Sequence, residues 1–241
     1  MSAKVIDLNS DVGERPDADG VRADAEIIAA VSSANVACGF HAGDAETMRA
    51  VCEIAVLNRK RIGAHVSYLD HEGFGRRDLE IEPEVLRDQV AQQIRALQVI
   101  AGAAGGTVGY VKPHGALYNR AAVDAGVAET VVAAIASVDA SLKLLGPPDS
   151  KLLAAAASHG LDSVAEGFPD RGYRSDGTLL PRSEPGAVLN AAAAIEQARR
   201  LAEEGRVRSL CIHSDTPGAA KLAIAIRNHL IGAGFEVRPF A

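Results

Sequence analysis

The chain of 241 residues contains no tryptophan, and its aromatic content is only 4%. It has three cysteines and no C-x-x-C pair. An odd number of cysteines without that spacing argues against a disulfide framework and against a cysteine-based zinc site. We therefore expect Cys38, Cys52 and Cys211 to be reduced and mostly buried.

Long apolar runs and an excess of basic charge are also missing. The first residues, MSAKVIDLNSD, are polar where a secretory signal needs an apolar stretch, and no later segment approaches about 18 uninterrupted apolar residues. These features predict a cytoplasmic protein without a membrane partner. The net charge of -6 provides no basic field for a phosphate backbone, which argues against nucleic acid as a partner.

Short apolar, β-branched runs alternate with longer stretches of helical period. This alternation is typical of parallel strands joined by covering helices. The length suits one barrel, so we predict a single catalytic domain over residues 1–241, an α/β fold of the TIM-like (β/α) barrel type with seven or eight parallel strands. Seven predicted strands begin near residues 4, 35, 61, 108, 142, 163 and 209, and FEVRPF at the C-terminus is a candidate eighth.

Helical spacing of apolar residues places helices between these strands. One helix is predicted after Asp44, which is positioned to cap it, and a second from Pro83 to just before Gly102. The connections 66–82 and 168–185 are long for this type of unit, and loops of that length are more often functional than idle. Further helices are predicted over 125–138, 150–159, 186–204 and 217–231, with Gly160, Gly205 and Gly232 as stops.

Polar residues gather where the predicted strands end. In a parallel barrel these ends form one rim, and catalysis takes place at that rim. A single histidine there would as readily satisfy a loop backbone as take part in catalysis, but six strand ends together indicate a site. The residues concerned are Asp7, Asn9, Asp11, His41, Asp44, His65, Lys112, His114, Glu166, Asp170, His213 and Asp215.

Two segments of this rim suggest binding of an anion. ACGFHAGD, residues 37–44, runs from a strand into a helix start, whose free amides can hold an anion; the alternative is a tight turn with a cap. Lys112 lies in an apolar setting, which favours neutralising a carboxylate or phosphate over a surface ion pair. No G-x-x-x-x-G-K-[ST] segment or dinucleotide fingerprint occurs in the sequence.

Six motifs in order, DLNSDVGE, ANVACGFHAGD, GAHVSYLDHEGFGRRD, VKPHGALYN, FPDRGYRSDGTLLPR and CIHSDTPGA, resemble the LamB/YcsF family, which is the family of the 5-oxoprolinase A subunit. The resemblance spans nearly the whole chain. It implies a barrel related to glycoside hydrolases and deacetylases, in an enzyme of three kinds of subunit that opens 5-oxoproline to L-glutamate while hydrolysing ATP. Val66 and Leu69 stand where the family more commonly has proline, and Ser214 where it has glycine; these departures leave a variant lactam substrate conceivable.

The resemblance also implies which residues act. The general base for the attacking water is sought among the carboxylates and histidines, and Lys112 and Arg171 are expected to stabilise a substrate carboxylate or a phosphoryl group. The predicted catalytic residues are Asp11, His65, His114 and Asp215. The predicted substrate- or phosphate-binding residues are Asp7, Asn9, His41, Asp44, Lys112, Asp170, Arg171 and His213.

Several alternatives stay open at this point. Because a phosphate loop is missing, ATP is expected to bind in another way or mainly through the partner subunits B and C. No residue is assigned to a metal, but Asp and His residues at strand ends could form a zinc-type centre, which leaves a metal-dependent hydrolase or carbohydrate deacetylase as an alternative. A non-catalytic subunit that binds metabolite or nucleotide is a third interpretation, and a homo-oligomer is left open.

Overall fold

The computed structural model describes residues 4–215 and 218–240. Seven parallel strands follow one another around a closed barrel, because β1 pairs with β2 on one side and with β7 on the other. This confirms the predicted barrel. The strands are β1 (Lys4–Val12), β2 (Ser33–Ala37), β3 (Arg61–Val66), β4 (Val108–Pro113), β5 (Lys143–Gly146), β6 (Ser163–Gly167) and β7 (Ser209–Cys211).

The predicted eighth strand forms, but it lies outside the closed ring. β8 (Phe235–Val237) pairs in parallel with the first residues of β1, from Lys4 to Ile6. It therefore extends the amino end of β1 without entering the barrel wall.

Eight helices accompany the strands in the described residues. The helix predicted to stop before Gly102 continues through Ala103, and the one predicted from residue 186 begins only after Asn190, whose side chain accepts from the amide of Ala193. The helices are α1 (Ala18–Ala30), α2 (Ala45–Leu57), α3 (Pro83–Ala103), α4 (Gly115–Val123), α5 (Ala125–Val138), α6 (Lys151–Ser158), α7 (Ala191–Glu204) and α8 (Ala219–Gly232).

Two of these helices, α1 and α4, were not predicted. The buried face of α1 includes Gly20 and Asp24, so apolar residues do not recur along it at regular helical spacing. The N-cap of α1 is Asp17, which accepts from the amide of Gly20. Helix α4 begins almost directly after β4, because the backbone turns at His114 and at Gly115, whose φ is +54°. The predicted strand had run on to that glycine.

The main apolar core lies between the barrel and its helices, not inside the barrel. Along β1, Ile6, Leu8 and Val12 join that core. The odd-numbered residues of the strand point the other way, and Asn9 donates across the lumen to Oε2 of Glu166. Whereas barrel interiors are usually filled by branched apolar side chains, much of this lumen is polar.

The amino end of the lumen is closed by an apolar plug. Tyr110, Leu145 and Val164 pack together there, and the ring of Phe240 lies 5.0 Å from that of Tyr110. Gly63 makes room for this packing, because a Cβ atom at that position would lie 2.2 Å from the Tyr110 ring. A substrate therefore has no route through this end among the described residues.

Within the described residues, no single helix combines the length and apolarity needed to cross a membrane. Helices α4 and α5 meet that test only when taken together, and they are bent by 116° at the break between them.

Candidate active site

The centre of the site is a buried ammonium group held by two carboxylates. Nζ of Lys112, on β4, lies 3.1 Å from Oδ1 of Asp11 and 3.3 Å from Oε2 of Glu166. It also lies 3.1 Å from Sγ of Cys211, one of three free, buried cysteines, as expected. Burial disfavours the charged amine, yet these carboxylates hold the pKa of Lys112 well above its ordinary value. Lys112 is thus a permanent buried cation, not a member of a surface ion pair.

A layer of amides supports this ion pair from below. Asn35 donates from Nδ2 to Oδ1 of Asn9 and to Oδ1 of Asp11, both at 2.7 Å. Asn9 in turn donates to Oε2 of Glu166 at 3.3 Å. The amides fix the carboxylate positions without adding charge.

A third layer, deeper in the barrel, surrounds Asp7. Its carboxylate accepts from the hydroxyls of Ser32 at 2.7 Å, Ser33 at 2.6 Å and Ser209. Burial raises the pKa of Asp7 to about 6 despite these bonds. Asp7 therefore lies beneath the ion pair, with its oxygens bonded to protein hydroxyls, and its predicted binding role stays a prediction.

Three histidines and one glutamate meet beside the ion pair. Nε2 of His65 lies 3.0 Å from Nδ1 of His114, and the ring of His41 stacks on that of His114 with centroids 3.9 Å apart. Oε1 of Glu14 lies 3.2 Å from Nε2 of His41 and 3.6 Å from Nδ1 of His114. We call Glu14, His41, His65 and His114 the histidine cluster.

The histidine cluster could hold a metal ion. One ligand atom from each of the four residues lies within 4.8 Å of the others, and all three imidazoles are buried. Burial, together with the neighbouring imidazole of His65, holds the pKa of His41 and of His114 well below the ordinary value. Neutral imidazoles are the form that binds metals.

A further histidine, outside this cluster, lies near the ion pair. Nδ1 of His213 is 3.0 Å from Oδ2 of Asp170, which also accepts the backbone N–H of His213 at 3.1 Å. The ring stacks near Phe168, whose centroid is 5.5 Å from Nζ of Lys112. Although burial opposes it, the charge of His213 keeps the pKa of Asp170 below its ordinary value. The carboxylate thereby orients the imidazole.

The two long connections meet above the site at Asp215. Arg76, from the connection 66–82, lies 3.3 Å from Oδ2 of Asp215, and Arg182, from 168–185, lies 3.0 Å from the same atom. Asp215 is thus at the outer rim with 39% of its side chain exposed, not in the histidine cluster. Its predicted role as a base stays a prediction.

Two of the predicted binding residues, Arg171 and Asp44, bond to backbone groups of the protein. The guanidinium of Arg171 donates from Nε to the carbonyl of Ala187 at 2.9 Å and from Nη2 to that of Leu180 at 2.6 Å. Asp44 accepts from the amide of Thr47 at 2.7 Å and so caps α2. Arg171 therefore stabilises the loop and Asp44 caps a helix, and the predicted binding role of each stays a prediction.

Several groups of the site were not predicted from the sequence. An asparagine inside a buried strand, such as Asn35, was a usable signal, because a buried amide needs partners. Glu14 follows Gly13, where a φ of +75° turns the chain after β1. The position of Glu14 therefore depends on a turn that the periodicity of the sequence does not reveal. The missed groups are Glu14, Asn35, the carbonyl of Phe74, Arg76 and Arg182.

A parallel barrel with a polar lumen, a buried lysine between carboxylates and histidines at the carboxyl rim defines a barrel enzyme of the hydrolase type. Residues 6–241 match the model of the LamB/YcsF family. The chain belongs to the LamB/YcsF family, which confirms the resemblance of its motifs.

Several known proteins are similar over nearly the full length. The chain is 50% identical to the 5-oxoprolinase A subunit of Streptomyces avermitilis, with 98% of this chain and 100% of that protein covered. It is 47% identical to the 5-oxoprolinase A subunit of Nocardia farcinica, with 98% and 99% covered. The crystal structure of a lactam utilization protein from Thermus thermophilus matches with a TM-score of 0.91 and 38% identity, over 98% of this chain and 100% of that one.

A more distant structure shares the fold alone. A family 4 carbohydrate esterase from Streptomyces lividans matches with a TM-score of 0.52 and 14% identity, over 99% of this chain and 93% of that one. This likeness confirms the predicted deacetylase-like barrel.

Proposed function

We propose that this chain is the A subunit of a 5-oxoprolinase, which opens 5-oxo-L-proline to L-glutamate by hydrolysis with ATP and partner subunits. The observation that carries the proposal is the buried cation of Lys112, fixed between Asp11 and Glu166 beside the histidine cluster. Relatives that are named as 5-oxoprolinase A subunits, and that share about half of the sequence over its whole length, support the same substrate.

The chemistry of a lactam explains why such a site is needed. Amide resonance makes the ring carbonyl a poor electrophile, so water must be activated and the oxygen must be stabilised as it gains negative charge. A fixed buried ammonium such as Lys112 stabilises that charge without reorganising solvent. In this proposal Asp11 or one of the histidines His65 and His114 takes the proton from water.

Ring opening also requires a proton on the departing nitrogen. Water adds to the carbonyl carbon, the carbon–nitrogen bond breaks, and the nitrogen becomes the amine of glutamate. His213, oriented by Asp170 and outside the histidine cluster, is assigned to deliver that proton. The site thus separates a proton acceptor from a proton donor.

ATP and the partners complete the proposal. ATP transfers its γ-phosphoryl group to the amide oxygen and leaves as ADP, which makes the ring carbon more electrophilic. After water adds and the carbon–nitrogen bond breaks, a second water hydrolyses the resulting acyl phosphate to glutamate and phosphate. We assign nucleotide binding mainly to subunits B and C because this chain has no phosphate loop. Arg76 and Arg182 at the rim are suited to guide a carboxylate or phosphoryl group inward. The complex is placed in the cytoplasm, where buried reduced thiols are the ordinary state.

The test is glutamate release from 5-oxoproline and ATP by this chain mixed with its partner subunits. We expect glutamate only in the full mixture and none when this chain carries Asp11→Asn, which preserves side-chain volume. Asp88→Asn on the exposed face of α3 is the matched control and should behave as the unmodified chain. Absence of glutamate from every mixture overturns the proposal, whereas full activity of Asp11→Asn would remove Asp11 as the base and leave His65 and His114.

A further inference from the structure

Hydrogen bonding fixes which nitrogens of two cluster histidines carry hydrogen. Nδ1 of His65 lies 3.1 Å from the carbonyl oxygen of Lys112, and Nε2 of His114 lies 3.0 Å from that of Phe74. A carbonyl oxygen only accepts, so each of these nitrogens is a donor. In a neutral imidazole the other nitrogen then presents a lone pair. The two inner nitrogens are therefore acceptors, and they face each other at 3.0 Å.

Further acceptors converge on the same space. Oδ1 of Asp11 lies 3.3 Å from Nε2 of His65, and Oε1 of Glu14 lies 3.6 Å from Nδ1 of His114. Facing lone pairs and carboxylate oxygens repel one another unless a cation lies among them. A proton on Nε2 of His65 faces both Nδ1 of His114 and Oδ1 of Asp11, but it does not lie between Nδ1 of His114 and Oε1 of Glu14. His41 stacks on His114 with centroids 3.9 Å apart, so the two rings repel each other if both are protonated.

The balance of charge around the cluster is negative. Asp11, Glu14 and Glu166 are buried or nearly so, and the buried amine of Lys112 contacts Asp11 and Glu166. A divalent cation supplies the missing charge.

The spacing of the four ligand atoms suits a small cation. Bonds of roughly 2.0–2.1 Å from Zn²⁺ to nitrogen or oxygen put tetrahedral ligands about 3.3 Å apart. Three of the six separations are 3.0 Å between His65 and His114, 3.2 Å between His41 and Glu14, and 3.6 Å between His114 and Glu14, and all six are within 4.8 Å. Outer imidazole N–H groups bonded to carbonyls are also typical of metal ligands, whose rings are oriented in this way.

The loop above the cluster is shaped to enclose it. At Gly75, whose φ is +65°, a Cβ atom would lie 2.8 Å from Cβ of His41 and 2.9 Å from Cδ2 of His114. The preceding residue, Phe74, also has a positive φ of 54° and presents its carbonyl to His114. The chain therefore adopts an uncommon backbone conformation where it covers the imidazoles.

We infer that Glu14, His41, His65 and His114 form a binding site for one divalent transition-metal cation, with Zn²⁺ as the matching probe. Three imidazoles and one carboxylate are the ligand types that such ions select. A bound cation would supply Lewis-acid chemistry beside Lys112, and it would occupy the free lone pairs of His65 and His114, which leaves Asp11 as the base of the proposed ring opening. The inference goes beyond the proposed function, because binding requires neither 5-oxoproline nor ATP nor a partner subunit.

The experiment is titration of the full chain with Zn²⁺ alone, after removal of bound metal with a chelator. We expect one equivalent to bind, and Glu14→Gln and His65→Ala to weaken binding by roughly 100-fold or more, beyond what loss of an orienting group causes. Zn²⁺ should also raise the melting temperature of the unmodified chain and not of these variants. His159→Ala removes an exposed histidine paired with Glu129 and is the control for surface binding.

The Glu14→Gln variant is nearly isosteric and keeps the test meaningful if His65→Ala fails to fold. The absorption of bound Co²⁺ gives a second readout, because a nitrogen- and oxygen-ligated site of low coordination has visible bands that the variant should lose. A folded chain that takes up no Zn²⁺, or equal binding by Glu14→Gln, overturns the inference. Either result leaves the ring-opening proposal standing, because that proposal is tested by glutamate release.

Discussion

Nζ of Lys112 lies 3.1 Å from Oδ1 of Asp11, and both residues are at least nine-tenths buried. Such a pair has lost its hydration, so its stability depends on each partner remaining in place. The amides of Asn9 and Asn35 hold the acid, and Glu166 contacts the amine from the other side. The pair is therefore part of the fold as well as of the site.

Replacing Lys112 with methionine should lower the free energy of unfolding by roughly 3–5 kcal/mol, because two buried carboxylates lose their counter-charge. Urea denaturation measures this effect. Adding Glu166→Gln to Lys112→Met should recover part of the stability but none of the glutamate release. A single variant as stable as the unmodified chain would show that the charges are solvated. Lys221→Met, on the exposed surface of α8, is the control.

Asp7 should make the stability of the chain depend on pH. Its pKa is raised by burial to about 6, so the folded state binds the proton more tightly than the unfolded state does. Protonation of Asp7 therefore stabilises the folded state. This stabilisation is complete below pH about 4 and is lost as pH rises through about 6. The expected loss is on the order of 3 kcal/mol, and it should be absent from Asp7→Asn.

Urea denaturation of both proteins at pH 4 and pH 7 provides the comparison. The difference between the proteins isolates Asp7 from Asp24, whose pKa burial also raises to about 6. Parallel pH dependence in the two proteins would contradict the prediction.

Gly63→Ala should destabilise the barrel, because the new Cβ atom would lie 2.2 Å from the ring of Tyr110. Overpacking of this kind costs typically about 1–3 kcal/mol, and thermal unfolding measures it. Gly102→Ala is the matched control, since no atom lies within 4 Å of its added Cβ and it lies in the last turn of α3. That change should be neutral or stabilise by up to about 1 kcal/mol. An equal effect at both positions would contradict the packing argument.

Asp170→Asn should reduce kcat for glutamate formation by roughly 100-fold, as expected when a general acid is misoriented. The amide can still accept the backbone N–H of His213 but no longer fixes the protonated ring. Kinetics of the reconstituted enzyme, with the pH profile of kcat, measure the change. Asp176→Asn, in the neighbouring exposed turn, should have no effect. Unchanged kcat in Asp170→Asn would remove His213 from the proposed proton transfer.

The barrel could be predicted from sequence because each strand is an apolar run with polar residues at its carboxyl end. His65 and His114 were chosen in this way and lie at or next to a strand end, whereas β2 ends at Ala37, short of the predicted end at His41. Their roles stay predictions. The depth of Asp7 could not be found. A period of two places Asp7 and Asp11 on the same face of β1, but the tilt of the barrel decides which of them reaches the rim.

Other site features depend on backbone turns that leave no periodic trace. Glu14 is directed to the histidines by Gly13, and the Phe74 carbonyl reaches His114 through two successive residues with positive φ. The backbone partners of Arg171 were not predicted for a similar reason, whereas the cap that Asp44 provides to α2 was predicted from the helix start. Sequence patterns identify side chains, whereas these contacts are made by the main chain.

The closure of the barrel between β1 and β7 also affects the order in which the protein can be completed. Asp7 bonds to Ser209 across 202 positions of the chain, and the first strand keeps an open edge until those late residues have left the ribosome. Until then Asp11 and Glu14 lie at the end of a strand that has not yet paired with β7. A nascent fragment that ends before residue 209 therefore has every histidine of the cluster but lacks the closed wall that positions them, so it should depend on chaperones and have no activity.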